Sequence, residues 1–340
     1  MTDESTSGQG DTGQDVWGSP AWRQRAVTWL DGVLAAAGIQ RTGEVEQPHL
    51  RPWATALCAP TTRGRVWLKA PGPGTRFEVG LYALLDRLVP ERVLNPIAVD
   101  VERGWVVLPD GGATLDDSCT GDALASGLIE ALPSYAELQR ELMPHSSELL
   151  ACGVADMRPE RMPERFVEAV SVAEAIARRA GTPDDAALLR RVRALEPSFA
   201  GWCRELEDAP GAPSLDHNDL HPGNIFVGPP AAGAKFFDWG DSVVAHPFAS
   251  LLPVLHTLRE QFQLPESDAR LRRARDAYLE VFADLAPPAE LIRVSELACR
   301  VAKIARALVW QRALTLLGPD EAPLFERAPL RWVVGVLEAR

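Results

Sequence analysis

The sequence predicts an α+β chain of two lobes, a small N-terminal β-sheet lobe and a larger, mostly helical C-terminal lobe. Three observations carry this. Short extended runs bounded by turns crowd residues 53–108, with one amphipathic helix among them. A hard break, Pro109-Asp-Gly-Gly112, follows. Beyond it the apolar spacing is helical almost throughout, except in residues 214–241.

Residues 1–19 are rich in Ser, Thr, Gly, Gln and Asp and read as a disordered tail. Pro20 opens a helix in which Trp22, Val27, Leu30, Val33 and Leu34 recur near helical spacing, and Gly38 ends it. Residues 53–59 and 66–69 read as two strands of a hairpin around Arg63-Gly64. After the break Ala70-Pro-Gly-Pro-Gly74, apolar Phe77, Leu81, Leu84, Leu85 and Leu88 mark one helix face. Residues 96–101 and 105–108 are two further strands about Arg103-Gly104. Residues 122–152, 163–181 and 184–207 read as helices, and helices resume from 247 to 340. Between them, 225–227 and 235–237 are short β-like runs set among Gly/Pro turns. The predicted division is a tail (1–19), an N-terminal lobe (20–110) and a C-terminal lobe (111–340).

Composition narrows the function. Of 340 residues, 46% are hydrophobic and 24% charged, so the chain can bury a sizeable core. The formal charge of −12 opposes nucleic acid as a main partner, because phosphate backbones need a basic footprint. Five cysteines, an odd number with no Cys-x-x-Cys spacing, argue against a disulfide framework or zinc ribbon. No apolar run approaches the ~20 residues of a membrane helix. The start lacks a basic and apolar leader, and the expectation is a cytoplasmic protein. Only Lys69, Lys235 and Lys303 are lysines, so each one invites a reason.

The polar residues concentrate in the non-helical patch of the C-terminal lobe. It reads His217-Asn-Asp-Leu-His-Pro-Gly-Asn224, then Phe236-Phe-Asp-Trp-Gly-Asp241. A loop bearing Asp219 and Asn224, followed by a hairpin and a second carboxylate at Asp238, can converge on one point. Phosphoryl transfer needs such a set: one carboxylate to take the acceptor's proton, and an amide oxygen and a second carboxylate to hold Mg²⁺ on ATP.

These two motifs resemble the aminoglycoside phosphotransferase/choline kinase branch of the protein-kinase-like fold, which implies a bilobal kinase. The kinase pattern is His-x-Asp-x-x-x-x-Asn followed by an Asp-x-Gly motif, here Asp238-Trp239-Gly240. Upstream, Val66-Trp-Leu-Lys69 resembles the strand carrying the phosphate-binding lysine, and Glu78 its helix-borne partner. Val106-Val-Leu-Pro-Asp-Gly-Gly112 resembles the hinge between lobes, whose backbone would pair with adenine, so Val107, Leu108 and Asp110 are the expected cofactor-binding residues. The resemblance implies ATP and Mg²⁺ as cofactors, Asp219 as catalytic base, and Asn224 and Asp238 as metal ligands. It also implies His217 as a packing residue beneath the loop, and leaves Asp241 as a supporting carboxylate, acceptor contact or helix cap. The sequence departs from the pattern in two places. Arg51-Pro-Trp-Ala-Thr55 stands where a Gly-rich phosphate loop is expected, and His246 and Ser250 stand where many relatives carry carboxylates.

Two rival classes compete. His217, Asp219 and His221 at alternate positions could face one metal on a strand, but Pro222-Gly223 ends any such strand. A non-catalytic kinase-like nucleotide-binding module is the other, and the filled Lys69, Asp219 and Asp238 positions count against it. The expected acceptor is a small hydroxyl compound. An amino sugar or aminoglycoside leads, and a neutral sugar or a choline- or homoserine-like amino alcohol is the alternative. Its wall is expected to combine Asp241 with Trp310, Glu321 and Trp332, acidic and aromatic. No activation segment of protein-kinase length follows Asp238, which disfavours protein acceptors.

Overall fold

The computed structural model describes residues 13–228, 233–315 and 325–338. The chain opens with helices α1 (Gly13–Gly18) and α2 (Pro20–Ala36), then strands β1 (Glu46–Arg51), β2 (Ala54–Thr61) and β3 (Gly64–Pro71). Helix α3 (Phe77–Leu88) and strands β4 (Ala98–Asp100) and β5 (Trp105–Pro109) complete the first lobe. Helices α4 (Leu115–Ser118), α5 (Gly121–Leu142) and α6 (Ser146–Ala151), strand β6 (Ala155–Asp156), and helices α7 (Met162–Ala180), α8 (Pro183–Arg193) and α9 (Glu196–Glu207) follow. Strands β7 (Ser214–Asp216), β8 (Ile225–Val227), β9 (Ala234–Phe236) and β10 (Val243–Ala245) form the non-helical patch. Helices α10 (Leu251–Phe262), α11 (Ala269–Glu280), α12 (Pro288–Leu314) and α13 (Ala328–Gly335) close the described chain.

The first lobe is a five-stranded antiparallel sheet of order β1-β2-β3-β5-β4. Strand alternation sorts its side chains. Leu57, Ala59, Val66, Leu68, Ala70, Trp105 and Val107 face α2, whose Trp22, Ala26, Leu30 and Leu34 cover them. The opposite face looks into the cleft between the lobes. Ser19 caps α2 by accepting from the Trp22 amide at 3.2 Å, with Pro20 at the first helical position.

The expected tail is ordered from Gly13 onward, because Trp17 is 7% exposed and packs with the α2 cluster. The Trp17 carbonyl also accepts from Gln47 Nε2 at 3.2 Å, tying α1 to β1. Residues 1–12 of that expectation lie outside the described residues. The predicted helix 184–207 is two helices, broken between Arg193 and Glu196 ahead of Pro197. Helix α3 sits beside the small sheet, yet its Val79, Leu81, Tyr82 and Leu85 belong to the larger core shared with the helical lobe. That continuity makes α3 the mechanical link between lobes. Among the described residues no helix is long and apolar enough to cross a membrane.

Candidate active site

The cleft is built from three directions. From above, β3 turns Trp67 and Lys69 into it. The Lys69 ammonium lies 2.6 Å from Glu78 Oε1 and 2.6 Å from Asp238 Oδ1. Burial opposes the charge on Lys69, but Asp238 and Glu78 together hold its pKa above the ordinary lysine value. Glu78, in the first turn of α3, is fully buried. Burial raises its pKa to about 7 despite Lys69. Its Oε1 also accepts from the Trp239 amide at 3.0 Å, which ties the helix to the Asp238 segment.

From below comes the loop of residues 217–224. His217 is fully buried, its Nε2 2.9 Å from the Phe237 carbonyl and its ring against Trp239. Burial lowers its pKa, so it stays neutral and acts as packing beneath the loop. Asn218 adopts a left-handed φ of 61°, which throws the next side chain outward. Asp219 is one-third exposed, at 32%. Asn224 spends its amide nitrogen on the Asp219 carbonyl at 3.0 Å, leaving its side-chain oxygen as the atom able to ligate. The Asn224 carbonyl accepts from the Phe237 amide at 3.3 Å, which links the loop to the Asp238 strand.

Asp238 itself has φ 63°, a costly conformation for a non-glycine residue. Its carboxylate is 52% exposed to the cleft, and the Lys69 ammonium lowers its pKa. One carboxylate and one amide oxygen, both hard donors beside the Lys69 ammonium, fit Mg²⁺. The structure separates the alternative metal triad: His217 is buried against Phe237, whereas Asp219 lines the cleft and His221, partly exposed, lies 3.6 Å from it. Among the described residues no cluster of His, Cys, Asp or Glu is arranged to hold a metal by itself.

The hinge is only partly as expected. Leu108 and Asp110 line the cleft. Val107 does not: its side chain belongs to the α2 face, and its carbonyl accepts from the Ile97 amide at 2.7 Å. The Asp110 amide donates to the Arg65 carbonyl at 3.1 Å, and its carboxylate pairs with Arg65 at 2.7 Å. The sequence reading missed the cleft's aromatic surfaces. Phe226 and Phe237 stack at 4.3 Å and 18° on the C-lobe side, and Trp67 faces in from the sheet. A flat apolar slot of this kind suits a purine base.

The third direction, from α12, was not anticipated. Arg306 donates to the Asn218 carbonyl, to Asp219 Oδ1 at 2.6 Å and to Asp241 Oδ2 at 3.4 Å. Arg312 donates to the Gly240 carbonyl at 2.8 Å and lies 3.9 Å from Asp241 Oδ1. Burial raises the Asp241 pKa to about 6, against the pull of Arg306. Asp241 is therefore an ion-paired carboxylate rather than a free acidic wall. Trp310 lines the cleft, but Trp332 packs on His256 at 5.0 Å, outside it. Glu321 lies outside the described residues. The other two lysines have local reasons: Lys235 donates to the Val93 carbonyl and Lys303 to the Gly335 carbonyl, each at 2.9 Å.

Residues 61–291 match the model of the phosphotransferase enzyme family. The chain belongs to that family. It is a phosphotransferase with an alcohol group as acceptor, built as a bilobal α+β protein-kinase-like fold. No curated protein matches it. Solved structures show the same fold at low identity. The macrolide 2'-phosphotransferase from Brachybacterium faecium is 18% identical, with TM-score 0.53 over 91% of this chain and 98% of that one. The choline kinase from Streptococcus pneumoniae is 13% identical, with TM-score 0.55 over 92% and 99%. An aminoglycoside 2'-phosphotransferase-IIIa in complex with GDP is 14% identical, with TM-score 0.54 over 93% and 98%.

Proposed function

We propose that this phosphotransferase is an ATP- and Mg²⁺-dependent kinase of the cytoplasm that phosphorylates a hydroxyl of a small polar acceptor. The observation that carries it is Lys69, held 2.6 Å from both the buried Glu78 and the half-exposed Asp238. That contact joins a phosphate-binding cation to a metal-binding carboxylate across the cleft. When bound, Mg²⁺ neutralises phosphate charge and orients the transferred group. Asn224 and Asp238 would hold it, and Lys69 would grip the phosphates. Phe226, Phe237 and Trp67 would enclose the base. Asp219 would orient the acceptor hydroxyl and take its proton. The 20–110 and 111–340 division then separates nucleotide roof from catalytic floor.

The acceptor reading shifts with the structure. Two arginines stand on the wall expected to be acidic, and Asp241 and the neighbouring Asp219 are already paired with them. This favours an acceptor of low charge, a neutral sugar or amino alcohol, over a polycationic aminoglycoside. An ATP-consumption screen across neutral sugars, amino alcohols, aminoglycosides and hydroxy acids tests both statements, run at low and high salt. Asp219→Asn should lower kcat by ~10²–10⁴-fold with folding intact. A change of less than several-fold removes Asp219 from the chemistry. A polycation as best substrate, with a KM that rises with salt, overturns the low-charge reading alone.

A further inference from the structure

The turn before Asp219 is left-handed at Asn218, so its surroundings must hold it. The structure places a buried carboxylate nearby that no motif singled out. Asp216 ends β7, paired in register with Val243 of β10, and is 1% exposed. A carboxylate buried this deeply persists only when hydrogen bonds replace its water. Asp216 Oδ1 accepts from the Asn218 amide at 2.9 Å and from Ser250 Oγ at 2.7 Å, and Oδ2 from Asn218 Nδ2 at 3.5 Å. Ser250 is fixed in turn by Gln139 Nε2 at 3.1 Å, and Gln139 accepts from the Tyr278 hydroxyl.

The target of this network is the residue before Asp219. Asn218 sits at φ 61°, a region non-glycine residues enter only when the surroundings fix them. Its N–H is bound by Asp216 and its carbonyl by Arg306. Both sides of that turn are held, and the next side chain is Asp219. We propose that Asp216 is a positioning residue for Asp219: its carboxylate, paired with Ser250, fixes the left-handed turn that aims Asp219 into the cleft. The catalytic consequence rests on the phosphotransfer reading, whereas the effect on the loop does not.

The test uses the full chain, with ADP release measured for the best acceptor of the screen and for water. Asp216→Asn should lower kcat by ~10–100-fold while KM for ATP stays within ~3-fold, because the phosphate grip is untouched. Amide exchange read by mass spectrometry should quicken in peptides covering 214–221 and stay unchanged around Lys69. The double swap Asp216→Ser with Ser250→Asp returns a carboxylate to the same pair from the other side. It should recover most of the lost kcat and the lost protection relative to Asp216→Ser alone. A folded Asp216→Asn with parental kcat and parental exchange overturns the proposal. So does a folded swap that stays at the level of the single variant. If Asp216→Asn does not fold, the swap decides alone. If the parent turns over no phosphate with any acceptor or with water, the phosphotransfer reading fails, and the exchange comparison still decides whether Asp216 sets the loop.

Discussion

Replacing Arg306 with Met isolates what α12 contributes to catalysis. The guanidinium is 12% exposed and Asp219 is 32% exposed, so their contact is partly screened by solvent. With charge centres ~4 Å apart and an effective dielectric of ~20, the raw attraction is ~4 kcal/mol. Desolvation of the arginine and solvent at the carboxylate reduce the net value to ~1–2 kcal/mol. If that energy holds Asp219 in its working position, its loss should lower kcat by ~5–30-fold. The KM for ATP should hold, because Arg306 touches neither Lys69 nor Asp238 among its bonded partners. Arg306→Lys should not rescue, since one ammonium cannot span the Asn218 carbonyl and two carboxylates with planar geometry. Steady-state ADP release with varied ATP and varied acceptor separates these outcomes. A kcat within twofold of the parent, or an equal rise in KM for ATP, would show that Arg306 does not act through Asp219.

Asp238→Ala should abolish turnover and raise the Mg²⁺ needed for nucleotide binding, and chelation of Mg²⁺ from the parent should stop turnover without lowering Tm; a mutant that binds Mg·ATP normally contradicts the ligand assignment. Lys69→Ala should weaken ATP more than adenosine in calorimetry, because only ATP carries the phosphates, and equal weakening would mark a structural lysine. His246 is 3% exposed, and burial lowers its pKa from 6.5 to about 4. The unfolded chain therefore binds the extra proton between pH 6.5 and 4, and stability falls as pH drops through that window, by up to ~3 kcal/mol. His246→Asn should lose that slope in urea unfolding, and identical slopes in parent and variant would refute it.

What the sequence revealed was what lies close together along the chain. Asp219, Asn224 and Asp238 fall within twenty residues, and their spacing carries geometry with it. Lys69 and Glu78 were legible because a strand, a break and a helix place them on facing elements. Arg306 stood 87 residues from Asp219 on a helix whose neighbours Val301, Ile304, Ala305 and Leu308 are all buried. Its only signal was a charge inside an apolar run, which does not name a partner. Asp216 was hidden by a strand of three residues, too short for alternation to reveal which face it serves. Residues 13–18 were misread because polar composition outweighed one tryptophan, and burial of Trp17 against α2 reverses that weight. At the hinge, the pleat of β5 turns the Val107 side chain toward α2 and leaves that of Leu108 for the cleft, a division that motif position alone does not carry.

The two carboxylates on Lys69 look equivalent by distance and differ by access. Both accept at 2.6 Å, yet the Glu78 side chain is 1% exposed and that of Asp238 is 52% exposed. A hydrated cation could reach only the second. Glu78 is further held by the Trp239 amide. On the proposed reading Asp238 would hold the metal, while Glu78 would keep Lys69 in place to grip the phosphates. Exposure, rather than residue type or spacing, distinguishes the buried anchor from the carboxylate that would ligate. It also explains why the anchor belongs to α3, the element whose core is continuous with the helical lobe: the lysine is fixed to the same body that carries Asp219.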